Sequence, residues 1–468
     1  MRHKNAPSES ATPTKTVAYD DARFLALETL KNVLERGVGL DHSLANSPLF
    51  ARAEPRDRAL ARLLASRTLR HLGVIDALID GLSHRASSES DSRQDSDTRH
   101  ILRLGLTQLL FSDIPPYAAI NQAGEMAVKL GLKRQQPFIN AILRTVQREG
   151  ATRLSALDHD RYAAPPWLSE SWRKSYGQSA ARAMFAGLMH DPALDITPIG
   201  KKMTADELAA ALTGVVLPTG SIRVREAGRI ENLPYFQDGT WQVQDAAAAL
   251  PARLLGDVAG KHILDLCAAP GGKTAQLADG GARVVAVDRS ATRLARLVEN
   301  LTRLGLGERV ESLVADASLW GTATETLPDS IAAGFDGILL DAPCSATGTM
   351  HRHPDIMWLK NPENVMKMAV LQAELLEAAV RILAVSPPTA RLIYCVCSLE
   401  PQEGAWQIAR FLEQHPGWQS DPINAKEIMG QDQFITPEGY LLTRPDHWPE
   451  SGGIDGFFAA RLRIIGNR

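Results

Sequence analysis

The second half of the chain alternates short apolar segments with amphipathic helical segments, and this alternation constrains the fold more than any other feature. Five apolar segments follow one another: HILDLCA, RVVAVD, VESLVAD, FDGILLDAP and RLIYCVCS. Helical segments such as ATRLARLVENLTRLGL and MAVLQAELLEAAVRIL lie between them. This pattern predicts βαβ units and a parallel, doubly wound sheet. Because ligands bind such sheets beyond the carboxyl ends of the strands, the residues that end these segments are the candidates for a functional site.

Two other regions precede the predicted sheet domain, which extends over 241–468. From 16 to 150 apolar residues recur at spacings of three and four, which predicts an all-helical domain. The polar stretch at 86–98 interrupts this pattern and has almost no apolar residue, so we expect a mobile surface loop there. Between 160 and 235 strand-like segments such as SIRVRE surround the helical segment DELAAALTG, which predicts a small α+β module.

The composition is that of an ordinary globular protein, with 44% hydrophobic and 22% charged residues among 468. No run approaches the roughly 20 apolar residues that cross a bilayer, and the polar N-terminus does not resemble a secretory signal. We therefore expect a cytoplasmic protein, with a monomer as the default. The four cysteines include no CxxC pair, which favours free thiols over disulfides. Residues 1–150 carry 21 basic and 17 acidic side chains, whereas the remainder is acidic, so any nucleic-acid contact is expected in the N-terminal region.

The segment DLCAAPGGKT, residues 265–274, ends one predicted strand and begins a helix. Gly271 and Gly272 would let the backbone approach a ligand beside the helix N-terminus, although a tight βα turn without a ligand is an alternative. The pattern is neither GxGxxG nor GxxxxGK[ST], so it implies neither a dinucleotide nor a triphosphate. Asp288 ends the next segment, where a carboxylate can accept both ribose hydroxyls, and Asp316 ends the third, within reach of an adenine amino group. The predicted cofactor is therefore S-adenosylmethionine.

Two thiols follow predicted strands at the same edge of the sheet. Cys344 lies in DAPCSATG and Cys397 in YCVCS, while Cys395 lies deeper in its strand and is expected to be packed. A single thiol is usually structural, but two beside a nucleoside site favour chemistry. Carbon 5 of cytosine becomes nucleophilic once a thiolate adds at carbon 6, a second thiol can assist the elimination, and an aspartate can bind ring nitrogen 3. Asp341, Cys344 and Cys397 supply these three groups.

Together with WQVQDAAAAL, DAPCSATGTMHRHPDIMW, PQEG and DGFFAARL, these motifs resemble the Sun family of RNA cytosine-5 methyltransferases. The segments LRLGLTQLLF, IPPYAAINQAGEMAVKLG and FINAILR resemble the NusB-like helices of its bacterial members that act on small-subunit ribosomal RNA. The resemblance covers nearly the whole chain. It implies an α/β Rossmann-like S-adenosylmethionine methyltransferase domain, an RNA-binding NusB-like domain before it, and ribosomal RNA as the partner, with neither a membrane nor a metal ion involved.

Carried over residue by residue, the resemblance implies that Cys397 is the nucleophile, Cys344 assists product release, and Asp341 contacts both the base and the cofactor. The residues that it implies for binding S-adenosylmethionine are Cys267, Ala268, Ala269, Pro270, Gly271, Gly272, Lys273, Asp288, Asp316 and Asp341. Two positions depart from the family. Val396 replaces the usual Thr before the nucleophile, and Ala346 replaces the usual Gly after the Ser of the other cysteine motif.

Several other residues have two interpretations. The basic loop of His351, Arg352 and His353 is expected to contact a substrate phosphate, with a solvated loop as the alternative, and is a poor metal site. Trp241 and Trp358 could stack on a base, although such residues more often belong to the core. A group of N-terminal arginines could follow an RNA backbone or form a solvated face. They are Arg52, Arg56, Arg58, Arg62, Arg67 and Arg70.

Two alternative functions remain at this point. The same fold could act on DNA, which the thiol chemistry alone does not exclude, although a NusB-like domain favours RNA. The chain could also be an RNA-binding assembly factor without catalysis. A protein that only binds RNA has no need of either Cys344 or Cys397, which favours the enzyme.

Overall fold

The computed structural model describes residues 22–83, 93–200, 202–225, 227–322 and 326–465. The chain divides into two compact units, the first ending at Leu157 and the second beginning at Asp158. Within the described ranges, no helix combines the length and the apolar character that spanning a membrane requires.

The first unit is all-helical over its described residues, as predicted. Helix α1 packs against α4, and α6 packs against α7 and α8. The predicted spacing of three and four places Phe24, Leu27 and Leu30 on the buried face of α1. The helices are α1 (Ala22–Arg36), α2 (Leu40–Ala45), α3 (Pro48–Arg52), α4 (Pro55–Arg70), α5 (Leu72–Leu82), α6 (Arg93–Leu110), α7 (Pro116–Lys129) and α8 (Gln136–Ser155).

The prediction of a loop over 86–98 is wrong for its second half, because α6 begins at Arg93. Asp97, in the first part of this helix, is buried and pairs with Lys31 of α1. The prediction assumed that a segment without apolar residues cannot pack, whereas here a polar side chain is buried with an ionic partner. Residues 86–92 of the predicted loop lie outside the described residues.

The second unit begins with helices and a small antiparallel sheet. These elements are α9 (His159–Tyr162), α10 (Pro166–Tyr176), α11 (Gln178–Leu188), β1 (Leu194–Pro198), α12 (Ala205–Ala211), β2 (Val215–Val216), β3 (Ile222–Val224) and β4 (Trp241–Val243). The strand order is β2-β3-β1-β4, so the sheet takes its last strand from beyond the module predicted at 160–235. Trp241 is fully buried in it, which confirms the core interpretation of that residue. Trp172 of α10 packs with Met350 and Met357, which belong to the predicted sheet domain. The limits of the α+β module therefore stay a prediction.

The large sheet has the predicted Rossmann-like α/β architecture. Its strands are β5 (His262–Leu266), β6 (Arg283–Asp288), β7 (Val310–Val314), β8 (Gly337–Asp341), β9 (Arg391–Val396), β10 (Trp418–Ser420), β11 (Leu441–Thr443) and β12 (Phe457–Ile464). Its helices are α13 (Gly272–Asp279), α14 (Ala291–Leu304), α15 (Asp329–Ala332), α16 (Ile356–Leu359), α17 (Pro362–Leu383) and α18 (Ala405–Gln414). The strand order is β10-β12-β9-β8-β5-β6-β7, with β11 paired to β12.

The five predicted strands, β5 to β9, pair in parallel. Alternate residues of β5 enter hydrophobic clusters on opposite faces: Leu264 and Leu266 join one cluster, and Ile263 joins the other. The chain runs from β5 outward to β6 and β7, then returns to the other side of β5 at β8. This reversal of strand order opens a crevice at the carboxyl ends of β5 and β8, where such folds bind ligands.

Candidate functional site

A cavity of about 510 Å³ opens at the carboxyl ends of β5, β8 and β9. Its wall includes Lys273, Asp341 and both thiols, Cys344 and Cys397. Of the other residues predicted to hold the cofactor, Cys267, Ala268, Ala269, Pro270 and Gly272 also line it. The structure therefore brings the predicted thiol site and the predicted cofactor turn to one cavity, although they are up to 130 positions apart in the sequence.

A second, smaller cavity of about 70 Å³ lies beside the first and shares the lining residues Cys267, Arg293 and Pro343 with it. Asp288 and Asp316 line this smaller cavity, together with the apolar side chains of Leu371 and Leu375 from α17. Carboxylates that accept hydroxyl or amino protons, next to apolar walls that can cover a flat base, fit a nucleoside. The two cavities together thus suit a nucleoside with a chain that reaches toward the thiols, which is the form of S-adenosylmethionine.

Asp288 connects the turn after β5 to the start of α14. Its Oδ2 accepts a hydrogen bond from the Ala269 amide at 3.3 Å and lies 3.3 Å from the guanidinium of Arg293, while Oδ1 accepts from the Ser290 amide at 2.9 Å. The side chain is nearly buried. Asp316 is exposed, and its Oδ1 accepts from the amide and hydroxyl of Ser318. Asp288 is therefore the more rigidly held of the two carboxylates.

The glycines of the turn differ in what they do. Gly271 adopts a φ of +100°, and a Cβ placed on it would lie 2.7 Å from Leu297 Cγ of α14. A Cβ on Gly272 would lie no closer than 3.4 Å to any neighbour, the nearest being the Gln244 amide. Glycine at 271 is therefore needed for backbone conformation and for packing against α14, which supports the tight βα turn given above as the alternative for this residue.

The two thiols meet because β8 and β9 are adjacent parallel strands. Cys344 Sγ lies 3.4 Å from Cys397 Sγ. Cys395 is fully buried and its Sγ donates to Asp341 Oδ1 at 3.5 Å, whereas Cys397 lies beyond the end of β9 and is partly exposed. This confirms that Cys395 is packed and that Cys397 is at the exit of the strand. All four cysteines are free thiols, as expected.

The charges around the two thiols are unequal. Lys273 Nζ donates to Asp341 Oδ2 at 2.7 Å, and although burial lowers the pKa of Lys273, the charge of Asp341 raises it above its ordinary value. Burial likewise lowers the pKa of Arg352, but the charges of Asp455 and Asp245 raise it. A negative charge on Cys397 adds to the rise in both cases. Two permanent cations therefore act on Cys397.

Cys344 is in the opposite situation. Its hydrogen bond with Cys397 and its burial raise the pKa of Cys344 well above the ordinary thiol value, and the charge of Glu403 adds to the effect. At neutral pH the Cys344 thiol therefore keeps its proton. The cations Lys273 and Arg352 thus lie on the Cys397 side of the pair, and the anion Glu403 lies on the Cys344 side.

The two departures from the family have structural explanations. Ala346 has a φ of +62°, in the left-handed region where glycine is strain-free, and its amide donates to the thiol of Cys344. Alanine keeps this conformation at a cost of about 1 kcal/mol, the usual penalty for a left-handed L-residue. Val396 is fully buried in β9, where a β-branched side chain of the size of Thr fits a strand.

The basic loop after the Cys344 motif is not a solvated loop throughout. His351 is buried, and Arg352 Nε donates to Asp455 Oδ2 at 2.7 Å while its side chain lines the large cavity. The expected contact with a substrate phosphate stays a prediction. Over the ranges that the structure describes, no group of three or more His, Cys, Asp or Glu side chains is placed to hold a metal ion.

Sequence reasoning gave no role to Asp245 or Glu403, although both lie in motifs that it noted. Asp245 lines the large cavity, and burial followed by the nearby charge of Asp455 raises the pKa of Asp245 to about 8. Glu403 is fully buried next to Ser345. The only sign in the sequence was a carboxylate in an unusual place: Asp245 precedes a run of apolar residues, and Glu403 lies in the short turn segment PQEG. The residues that surround each carboxylate come from distant parts of the chain, so the sequence did not reveal them.

In the first unit, the six arginines do not form one surface. Arg70 is buried, Arg67 donates to the Phe111 carbonyl at 2.9 Å, and Arg62 pairs with Asp41 at 2.6 Å. Arg52 and Arg56, at the start of the group, are exposed. Of these six arginines, Arg52 and Arg56 are therefore the candidates for contact with an RNA backbone, with a solvated face as the alternative.

Comparison with known proteins identifies both units. Residues 252–463 match the family described as 16S rRNA methyltransferase RsmB/F, and residues 20–148 match the NusB family. The chain is 34% identical over 453 residues to the ribosomal RNA small subunit methyltransferase B of Klebsiella pneumoniae, covering 94% of this chain and 97% of the relative. It is 32% identical over 465 residues to the "Probable ribosomal RNA small subunit methyltransferase B" of Synechocystis sp., covering 94% and 99%.

The fold is also found among solved structures. The crystal structure of PH0851 superposes with a TM-score of 0.69 at 22% identity, covering 96% of this chain and 99% of that one. The motif resemblance is thus confirmed by relatives that match nearly the full length. The chain belongs to the RsmB/F family of 16S rRNA methyltransferases, and it is an S-adenosylmethionine-dependent enzyme that methylates small-subunit ribosomal RNA.

Proposed function

We propose that this enzyme methylates carbon 5 of a cytosine in small-subunit ribosomal RNA through a covalent adduct between Cys397 and carbon 6. The observation that carries the proposal is the pair of thiols 3.4 Å apart at the ligand edge of the sheet. Methyl transfer to an oxygen or an exocyclic nitrogen needs no thiol, since those atoms are nucleophiles already. Carbon 5 of cytosine needs an added nucleophile at carbon 6 before it can attack a methyl group.

The unequal electrostatics support the assignment of the two roles. Cys397 is partly exposed to the cavity and lies in the field of Lys273 and Arg352, so its thiolate is the nucleophile. Cys344 retains its proton beside Glu403 and acts after methyl transfer. Asp341, held by Lys273 at 2.7 Å, borders the same cavity. Its carboxylate accepts a hydrogen bond from the exocyclic amine of the cytosine, and from ring nitrogen 3 when that nitrogen carries a proton in the adduct.

The Cys397 thiolate forms a bond to carbon 6, and the ring electron pair moves to carbon 5. When bound, S-adenosylmethionine supplies the methyl group that carbon 5 takes up. The proton on carbon 5 then passes to water and its electron pair restores the ring double bond. The bond between Cys397 and carbon 6 breaks, and the protonated Cys344 thiol assists by donating a hydrogen bond to the departing Cys397 sulfur, 3.4 Å away.

The binding residues proposed for the cofactor follow from the two adjoining cavities. Asp288 accepts the ribose hydroxyls and Asp316 the adenine amine, while the turn from Cys267 to Lys273 borders the passage toward the thiols. Gly271 is kept in this set for the shape of the turn, since its own position packs against α14.

The test separates the two thiols. Cys344→Ala should form the adduct and transfer the methyl group but release product slowly, so a covalent protein–RNA complex should accumulate that survives denaturing electrophoresis. The complex should require S-adenosylmethionine, and the double variant with Cys397→Ala should not form it. Cys397→Ala alone should abolish turnover and keep cofactor affinity within a few fold.

Cys395→Ala is the matched control, because this thiol lies on the same strand but is fully buried. It should neither trap RNA nor abolish turnover. A complex trapped by Cys397→Ala would show that the roles are reversed, and normal turnover of both single variants would refute the adduct. Bisulfite mapping of the modified RNA identifies the methylated cytosine. If the map shows no bisulfite-resistant cytosine that depends on the enzyme, carbon 5 is not the target.

A further inference from the structure

We propose that Glu403 is a positioning residue that holds the Cys344 and Cys397 loops together and places a negative charge on the Cys344 side of the thiol pair. The inference deepens the proposed function and rests on it. Glu403 lies outside the cavity wall, in the turn before α18, so it acts through the residues that follow the two cysteines.

Glu403 joins the two loops that carry the thiols through hydrogen bonds. Ser345 follows Cys344 and Ser398 follows Cys397, and both serines donate to the same carboxylate. Glu403 Oε1 accepts from the Ser345 amide at 2.8 Å, and Oε2 accepts from the hydroxyls of Ser345 and Ser398. Gln372 of α17 donates to Oε1 at 3.1 Å. One side chain thus fixes the lateral spacing of the two loops that carry the thiols.

Glu403 is fully buried, and in the described part of the chain the hydrogen bonds to its oxygens come from hydroxyl and amide groups and from no cation. Burying a carboxylate without a cation is costly, and hydrogen bonds from four donors offset that cost. A neutral glutamine could also form hydrogen bonds to two serines. The hydrogen bonds alone therefore do not explain why a charged side chain is found at position 403.

The neighbouring titratable groups show what the charge does. The hydrogen bond between Cys344 and Cys397 and the burial of Cys344 raise the pKa of Cys344, and the charge of Glu403 raises it further. Burial raises the pKa of Tyr394 and of Glu400, and Glu403 adds to both. Cys397 instead faces the cations Lys273 and Arg352. The anion on one side and the cations on the other make two chemically identical thiols unequal.

Glu400 offers a matched control three positions earlier. It is as deeply buried, but its carboxylate accepts from Trp172 Nε1 at 3.0 Å and from the Ser171 hydroxyl on α10. Glu400→Gln therefore removes an equally buried charge and leaves the bridge between Ser345 and Ser398 in place.

The experiment compares Glu403→Gln with Glu400→Gln. The alkylation rate of each thiol by iodoacetamide is measured by mass spectrometry from about pH 6 to 9, without RNA, so that the result does not depend on which base is the target. We expect Glu403→Gln to make Cys344 react at lower pH, so that the pH dependences of the Cys344 and Cys397 alkylation rates lie closer together. In Glu400→Gln both alkylation rates should depend on pH as they do in the unmodified enzyme. Cofactor affinity, measured by calorimetry, should stay within a few fold in both variants.

With RNA, Glu403→Gln should lower kcat by about 10- to 100-fold with little change in KM, because misplaced reacting groups cost rate more than binding. Ser398→Ala provides a milder variant that breaks one bond of the bridge and leaves the charge. It should lower kcat without changing the pH dependence of Cys344 alkylation. If the alkylation rates of the two thiols are unchanged in Glu403→Gln, Glu403 has no electrostatic role. If kcat is unchanged in both Glu403→Gln and Ser398→Ala, Glu403 has no positioning role.

Discussion

Asp245 illustrates at the scale of one residue how burial changes the chemistry of a carboxyl group. It lines the large cavity, and its Oδ1 accepts from the Ala247 amide at 2.8 Å. Burial and then the charge of Asp455 raise its pKa to about 8, against a lowering by Arg352. At neutral pH the group is therefore mostly protonated and presents a hydrogen-bond donor at the cavity, where an ordinary aspartate would present only acceptors.

The raised pKa of Asp245 predicts a pH dependence of stability. In the unfolded chain the carboxyl ionises near pH 4, whereas in the folded protein it keeps its proton up to about pH 8. Its stabilising contribution is therefore complete below pH 4 and is lost as the pH rises through 8. Asp245→Asn should remove this loss, so that the unfolding free energy falls less steeply between about pH 5 and 8, by at most about 1.4 kcal/mol per pH unit.

Chemical denaturation at three pH values checks this prediction. Asp257→Asn is the control, since Asp257 accepts a similar hydrogen bond from the amide two positions on, at 3.1 Å, but is exposed. Its stability curve should run parallel to that of the unmodified protein. If the curve of Asp245→Asn does the same, Asp245 is ionised in the folded state.

The reacting residues themselves could be predicted from the sequence because each follows an apolar strand. Asp341, Cys344 and Cys397 follow segments whose parallel pairing the alternation pattern already implied, so their meeting at one edge required no knowledge of distances. Asp245 and Glu403 could not be assigned in this way. Their properties depend on Asp455 and Ser345, which folding brings from 210 and 58 positions away in the sequence.

At the scale of elements, the parallel strands were predictable and the antiparallel edge was not. β5, β6, β8 and β9 have nearly all residues buried and therefore read as continuous apolar runs. β12 pairs antiparallel with β9, and β10 and β11 pair with β12. The local sequence of β10, β11 or β12 does not indicate whether the strand pairs parallel or antiparallel with its neighbour, so this edge of the sheet could not be predicted.

The turn between β5 and α13 gives a prediction at the same scale. Gly271→Ala should lower the unfolding free energy of the second unit by about 2–4 kcal/mol, because a positive φ and a Cβ 2.7 Å from Leu297 both oppose it. Gly272→Ala, the control, meets nothing closer than 3.4 Å and should change stability by less than about 1 kcal/mol. Urea unfolding without cofactor measures both, and equal effects would mean that packing against α14 does not explain Gly271.

At the scale of the whole molecule, charge and chemistry belong to different units. Residues 1–150 have an excess of four basic side chains, and the rest of the chain has an excess of seven acidic ones. The thiols, the cofactor turn and both cavities lie within the unit that begins at Asp158. An acidic catalytic unit repels a polyanion at long range, so the basic helical unit is expected to supply much of the attraction to RNA.

A chain of residues 158–468 should therefore bind S-adenosylmethionine like the full-length enzyme but bind ribosomal RNA more weakly and less selectively. Recognition of structured RNA needs surface beyond the target base, and the truncated chain lacks the basic helices. Filter binding at several salt concentrations measures the effect. In the full chain, Arg52→Gln combined with Arg56→Gln should reduce the slope of log affinity against log salt by up to about 1.5 and leave cofactor affinity unchanged. The buried Arg70 is no part of this surface, and a salt slope equal in the truncated and full chains would show that the first unit does not bind the RNA backbone.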